Sequence, residues 1–337
     1  YYIEAALHSR PLAMLFALRL IATYAGGFNM LCSFNLQSTF SGYSFYNEGV
    51  TPWIIGGIAA LLTAFCVMGG GKRIIAVAST LVPFMGGLYV LVALIVIVMN
   101  LELVPTVFAR IFQGAFDFQA IFAGFTGSAL MQGIKRGLFS NEAGVGSAPN
   151  AAASANVSHP VKQGLVQMLS VFLDTLLICS ATALMLLCSG VEPTEAAQGA
   201  PYVQQALSAS FGTLGPIFIT VAMVLFAFTT LIGNLYYVDN ALAYLMKRVP
   251  SKQFMVVFRI VAVLLIFVGA GLSIDLVWNL ADVLMGVMVM INIPVIFILS
   301  RPALAALKDY TAQRKTGRNP VFKAASIDLK EKTDYWN

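Results

Sequence analysis

Charge is what this sequence has least of. Only 10% of its 337 residues are Asp, Glu, Lys or Arg, against 59% hydrophobic, whereas soluble domains carry about 25% charged residues. A chain so poor in charge cannot cover its own surface in water, which argues against a soluble enzyme. Histidine is nearly absent too: His8 and His159 are the only two, both at the edges of apolar runs. No His base therefore stands near a Ser inside a span, and no HExxH pair exists. Cys32, Cys66, Cys179 and Cys188 all fall inside apolar runs, without the paired spacing of a zinc site or a redox dithiol. They read as small core residues. No signal-peptide pattern, disordered linker or visible repeat divides the chain.

What the sequence does have is apolar length. A helix needs roughly 20 mainly apolar residues to cross the hydrocarbon core. Eight runs qualify, at 12–36, 50–69, 78–99, 119–134, 163–189, 212–246, 256–274 and 277–299. They are continuous rather than alternating, so they predict helices and not barrel strands, and helices satisfy their own backbone in lipid. The expectation is an all-α, polytopic membrane protein. Residues 1–300 form the transmembrane domain, and 301–337 a tail whose mixed charge and few large apolar residues predict a solvated segment.

The formal charge of +5 suggests no nucleic-acid partner once the positions are read. Lys72 and Arg73, Lys135 and Arg136, Lys162, then Lys247, Arg248 and Lys252 fall in alternate connections, joined by Arg10 and the basic tail. The intervening connections hold Glu48, Glu102, Asp117, Glu192, Glu195 and Asp275, with Arg110 their one basic residue. The positive-inside rule then puts both chain ends in the cytoplasm.

Glycine and proline cluster at four places: Gly26 and Gly27 with Asn29, Pro83 with Gly86 and Gly87, the stretch Gly124 to Pro149, and Pro294 after Asn292. Interrupted helices near the bilayer midplane are where secondary transporters bind substrate and coupling ion. The third cluster is the densest, running GFTGSALMQGIKRGLFSNEAGVGSAP. Gly124, Gly127 and Gly133 relax the helix, while Thr126, Ser128 and Gln132 offer hydroxyl and amide oxygens. Freed carbonyls can meet a cation, and N–H groups at a half-helix start can meet a carboxylate. Beyond them stand Ser140, Asn141, Glu142 and Gly144. Glu142 reads either as part of a gate or cation pathway, or, with Asn141, as a helix cap paired with Arg136, because an unpaired acid in lipid costs several kcal/mol. The AAASA run that follows reads as a close-packing face.

Asp174 lies in the middle of its run and is a functional candidate by default. Asp239 with Asn240 reads as a cap or gate, and Asp282 as a structural residue near the external end of the last run. Arg19 can snorkel. Asn29, Asn35 and Gln37 form a second polar group, serving either a permeation route or interhelical hydrogen bonds. An aspartyl pair from Asp174 and Asp282 would make an intramembrane hydrolase, but nothing around either supports it. A channel would need a filter repeated about an axis.

The block GLFSNEAGVGSAP, followed by HP and QG at 159–164, VFLDTLLICSATAL at 171–184, FAFTTLIGNLYYVDNAL at 226–242 and VWNLADVLMGVMVMINIP at 277–294, resembles the alanine or glycine:cation symporter family. The resemblance runs from about residue 20 to 300. It implies a bundle of two five-helix inverted repeats in a bacterial inner membrane, coupling Na⁺ or H⁺ to import of a small neutral amino acid, with no other cofactor. It also implies that the family's first core helix precedes Tyr1, so that a Na⁺ site is shared with it. Two positions depart from the family pattern: Asn234 stands where many members carry Trp, and Val238 and Asp239 where many carry Gly-Glu. The pathway residues expected are Gly124, Thr126, Gly127, Ser128, Gln132 and Asn234. The gate or coupling residues expected are Ser140, Asn141, Glu142, Gly144 and Asp174.

Overall fold

In the computed structural model the described residues are 1–116, 129–194, 197–329 and 336, with the side chains of Lys72 and Ala129 left aside. Among them, seven helices are long and apolar enough to cross a membrane. In chain order the helices are α1 Tyr2–Leu7, α2 Arg10–Ser38, α3 Thr51–Met68, α4 Gly71–Met99, α5 Val104–Ala115, α6 Ala129–Asn141, α7 Ala148–Ala152, α8 Pro160–Cys188, α9 Ala200–Phe211, α10 Leu214–Met246, α11 Lys252–Ala270 and α12 Ile274–Lys315. Proline marks their beginnings: Pro11, Pro52, Pro105, Pro149, Pro160 and Pro201 each sit in the first two positions of a helix, where the missing N–H is not needed.

Seven of the expected runs reappear as spans with shifted ends. The eighth, 119–134, falls largely outside the described residues. Its described part is α6, which runs on to Asn141 instead of ending at 134.

Two expected interruptions do not occur. Pro83 lies inside α4 and Pro294 inside α12, and both helices continue through them. Each proline removes one backbone bond, a loss that neighbouring helices or local adjustment can absorb in a membrane helix. The backbone is instead altered at two π-helical turns, Ala22–Gly27 within α2 and Leu173–Cys179 within α8.

The core is built where α2, α10 and α12 meet. Leu20, Tyr24, Leu31, Ile232, Leu235, Val238, Val277 and Met288 are buried together. Gly27 permits that approach, since a Cβ there would lie 2.7 Å from Leu284 Cδ1. Outward faces carry large apolar side chains, Leu61 and Phe65 each 72% exposed, as lipid contact requires.

α12 runs on past residue 301, the expected start of the tail. It is one helix of 42 residues, roughly 63 Å long at ~1.5 Å per residue, about twice the hydrocarbon thickness. Its C-terminal part therefore projects beyond the bilayer, and the chain then folds back. Phe322 N–H donates to Ser158 O at 2.9 Å, Ser158 Oγ to Pro320 O at 2.8 Å and Lys162 Nζ to Asn319 Oδ1 at 2.7 Å. Residues 316–329 are thus docked, not a free solvated tail.

Lys135 and Arg136 are also placed differently from expectation. They lie on α6 against Asp282, eight residues into α12 and so about 12 Å from its start. They belong beside a span, not in the connection where the charge pattern put them. At the ends of other spans, Tyr244 donates to Glu4, Asn240 to Asn150 O and Lys162 to Asn319.

Candidate functional site

Three elements converge on one cavity. α2 passes it just after its π turn, α6 ends at it, and α10 forms its back wall. The cavity has a volume of about 350 Å³; Asn35, Ser140, Glu142, Thr230 and Asn234 supply its polar groups, and Phe28, Leu31, Phe139, Met223 and Phe226 its apolar surface. That volume falls within the ~300–1,000 Å³ of ligand clefts, which are mostly apolar with a few placed polar groups.

α6 stops at Glu142 because the chain turns left-handed there, with φ +50°, and Glu142 N–H still bonds Leu138 O at 3.1 Å. Gly144 and Gly146 follow with φ +89° and +94°, values that favour glycine. Gly146 is further demanded by space: a Cβ on it would lie 2.6 Å from Phe16 Cζ and 2.7 Å from the Tyr2 hydroxyl. The loop is held against α12 by Asn292 Nδ2, which donates to Gly144 O at 2.8 Å, and Tyr2 donates to Asn292 Oδ1 at 2.7 Å. Burial pushes the Tyr2 phenol well above its ordinary pKa, so it remains a donor.

Glu142 follows the last residue of α6, and its side chain is not paired with Arg136. Ser147 Oγ donates to Glu142 Oε2 at 2.5 Å, and the Tyr24 hydroxyl lies beside the pair, within electrostatic reach though not in hydrogen-bond geometry. Arg136 is taken by Asp282.

The end of α6 is clipped to the π turn of α8 at two successive residues. Ser140 Oγ donates to Asp174 Oδ2 at 2.7 Å, and Thr175 Oγ1 donates to Asn141 Oδ1 at 2.8 Å. A π turn displaces side chains from regular register and is frequent at functional sites; here it lets adjacent residues of α8 reach adjacent residues of α6. On the opposite wall Asn234 Nδ2 donates to Asn29 Oδ1 at 2.8 Å.

Of the expected site residues, Asn234, Ser140 and Glu142 line the cavity, Asn141 and Asp174 brace it, and Gly144 fixes the loop. Gln132 is exposed on α6 and is not among the lining residues. Gly124, Thr126, Gly127 and Ser128 lie outside the described residues. Thr230 and Arg259 went unnoticed in the sequence, and Ser147 was given no role. Thr230 stands one turn before Asn234 on the same helix face, a spacing that could have flagged it. Arg259 pairs with Asp239 at 2.8 Å; an Arg inside one apolar run and an Asp inside the preceding run were a detectable couple. That pair makes Asp239 a tie between α10 and α11. Among the described residues no group of three or more His, Cys, Asp or Glu could hold a metal ion.

A family model described as the sodium:alanine symporter family matches residues 1–324. The amino-acid carrier protein AlsT of Bacillus subtilis is 40% identical over 100% of this chain and 70% of its own length. The probable sodium/glutamine symporter GlnT of the same organism is 41% identical over 96% of this chain and 66% of its own. The sodium/alanine symporter AgcS of Methanococcus maripaludis is 39% identical over 80% of this chain and 59% of its own. These relatives are carriers, not enzymes, and neither a hydrolase nor a channel is favoured. A polytopic helical chain with interrupted spans around a small polar cavity, matched by that model over nearly its whole length, belongs to the sodium:alanine symporter family.

Proposed function

We propose that the protein is a secondary active symporter that imports a small neutral amino acid, alanine or glycine, together with Na⁺ or H⁺, and that the cavity between α2, α6 and α10 is its site. The observation that carries this reading is the cavity lining: carboxylate, hydroxyl and amide groups from three helices face a space with apolar walls. A zwitterion needs polar partners, and its short side chain needs none. Elements flanking the cavity also have the form of moving parts. α6 ends in a loop of left-handed residues, and α8 carries a π turn against it. Shifting α6 with α8 would open the cavity toward one end of the bundle. The basic end, where α12 emerges, is taken as cytoplasmic by the positive-inside rule, in a bacterial inner membrane with the C-terminus inside.

The test uses the complete natural protein in proteoliposomes, with labelled alanine, glycine and glutamine and imposed gradients of Na⁺ or of protons. Accumulation of alanine or glycine only under an inward cation gradient is expected. Flux that ignores every gradient would indicate a channel, and no uptake of any neutral amino acid would overturn the reading. Swapping the cation at fixed potential assigns the coupling ion.

A further inference from the structure

An amide side chain has a donor end and an acceptor end, and neighbours decide which of the two a cavity meets. Asn234 lines the cavity and is 4% exposed, while Asn29 behind it is 0% exposed. The Asn234 Nδ2 is spent on Asn29 Oδ1. Its Oδ1 receives no donor among the described residues and, unlike the fully enclosed and unpartnered Asn29 Nδ2, is not sealed from the cavity. Asn35, on α2, likewise spends its Nδ2 on Leu31 O at 3.0 Å. Glu142 adds a carboxylate, and among the described residues no Lys, Arg or His lines the cavity. These oxygens suit a cation and repel a carboxylate.

We propose that Asn29 is a positioning residue: it holds the Asn234 amide so that the carbonyl oxygen, with the Glu142 side of the cavity, receives a positively charged group. This rests on the cavity being the transport site. The charge belongs either to the substrate ammonium or to the coupling cation, and the two share the same need for oxygen acceptors.

The test is uptake kinetics of the complete protein with two variants and their combination. Asn29→Leu frees the Asn234 amide to rotate and is expected to raise a half-saturation constant about tenfold, with a smaller change in maximal rate. A shift in the amino-acid constant at saturating cation assigns the site to the ammonium; a shift in the cation constant at saturating amino acid assigns it to the coupling ion. Asn234→Asp offers an oxygen whichever way it turns, so Asn29→Leu with Asn234→Asp should regain most of the lost affinity, which a general packing defect would not. Asn234→Asp alone should bind the charged group at least as tightly as the natural protein, and this holds even if Asn29→Leu fails to fold. Weaker binding by Asn234→Asp, an unchanged Asn29→Leu, or no rescue in the combination overturns the inference while leaving the transport reading intact. A natural protein that takes up no amino acid overturns both.

Discussion

Arg136 grips Asp282 across the interface of α6 and α12, its Nη2 lying 2.5 Å from Oδ1 and 2.6 Å from Oδ2. The guanidinium also lies 4.2 Å from the Trp278 ring centroid. One residue thus unites a charge-assisted bond with an aromatic face. Lys135 adds a second, longer contact to the same carboxylate at 3.9 Å.

Removing the acid should leave two cations against an apolar wall. Asp282→Ala is expected to lower stability by about 1.5–3 kcal/mol, the range for hydrogen bonds to charged groups. Thermal unfolding in detergent of Asp282→Ala, Arg136→Met and the double variant measures it. A double variant that loses the sum of the two single losses would show that the pair is not coupled.

The spans could be read from the sequence because continuous apolarity over 20 residues has one physical outcome in lipid. The pairing of Arg136 with Asp282 could not, since 146 positions separate them and each residue looks like an ordinary loop or end charge in its own neighbourhood. The misplacement of Lys135 and Arg136 has the same root: the apolar run falters at Lys135, while the helix continues because its polar side is met by α12. In the candidate site, Glu142 and Ser140 stood out as polar residues beside glycines. Thr230 did not, because a hydroxyl in a membrane helix usually bonds its own backbone. The docking of residues 316–329 was hidden for another reason, namely that its partners, Ser158 to Lys162, lie half a chain away.

Gly146 and Gly137 offer a matched contrast. With φ +94° and a Cβ position 2.6 Å from Phe16 Cζ and 2.9 Å from Asn292 Cγ, Gly146→Ala should cost about 3 kcal/mol from left-handed strain and overpacking together, and uptake should fall to background. Gly137 sits in α6 with no described atom within 4 Å of its Cβ position. Gly137→Ala should therefore keep the protein folded and add up to ~1 kcal/mol of helix propensity. Folded yield by size-exclusion chromatography separates the two.

The clip between Ser140 and Asp174 predicts coupled kinetics. Ser140→Ala and Asp174→Ala each remove the same 2.7 Å bond, so each should reduce uptake by about fivefold to tenfold, a loss near 1–1.4 kcal/mol. If the bond is the shared cause, the double variant should be little worse than either single one. Multiplying losses would show that the two residues serve the transporter independently.

The docked C-terminal segment makes a prediction about protection. His159 is fully buried, with ring contacts to Tyr310 at 5.1 Å and Phe322 at 5.0 Å. Its Nδ1 accepts from Val161 N–H at 3.2 Å, so in the neutral ring Nε2 carries the proton and donates it to Asp309 Oδ2, 3.2 Å away. Phe322 closes this arrangement and is 5% exposed, whereas its neighbour Val321 is 54% exposed. Phe322→Ala should open a cavity beside His159 at a cost of about 3 kcal/mol or more and free residues 316–329 from Ser158 and Lys162. Proteolysis that tracks the open population would then cut this segment, and the facing 153–158 stretch, at least tenfold faster. Val321→Ala should be cut like the natural protein. Equal, fast cleavage in all three would mean that the segment never rests on the loop, whereas protection lost only in Phe322→Ala ties the end of α12 to the connection leading into α8, and so to the helix that braces Ser140.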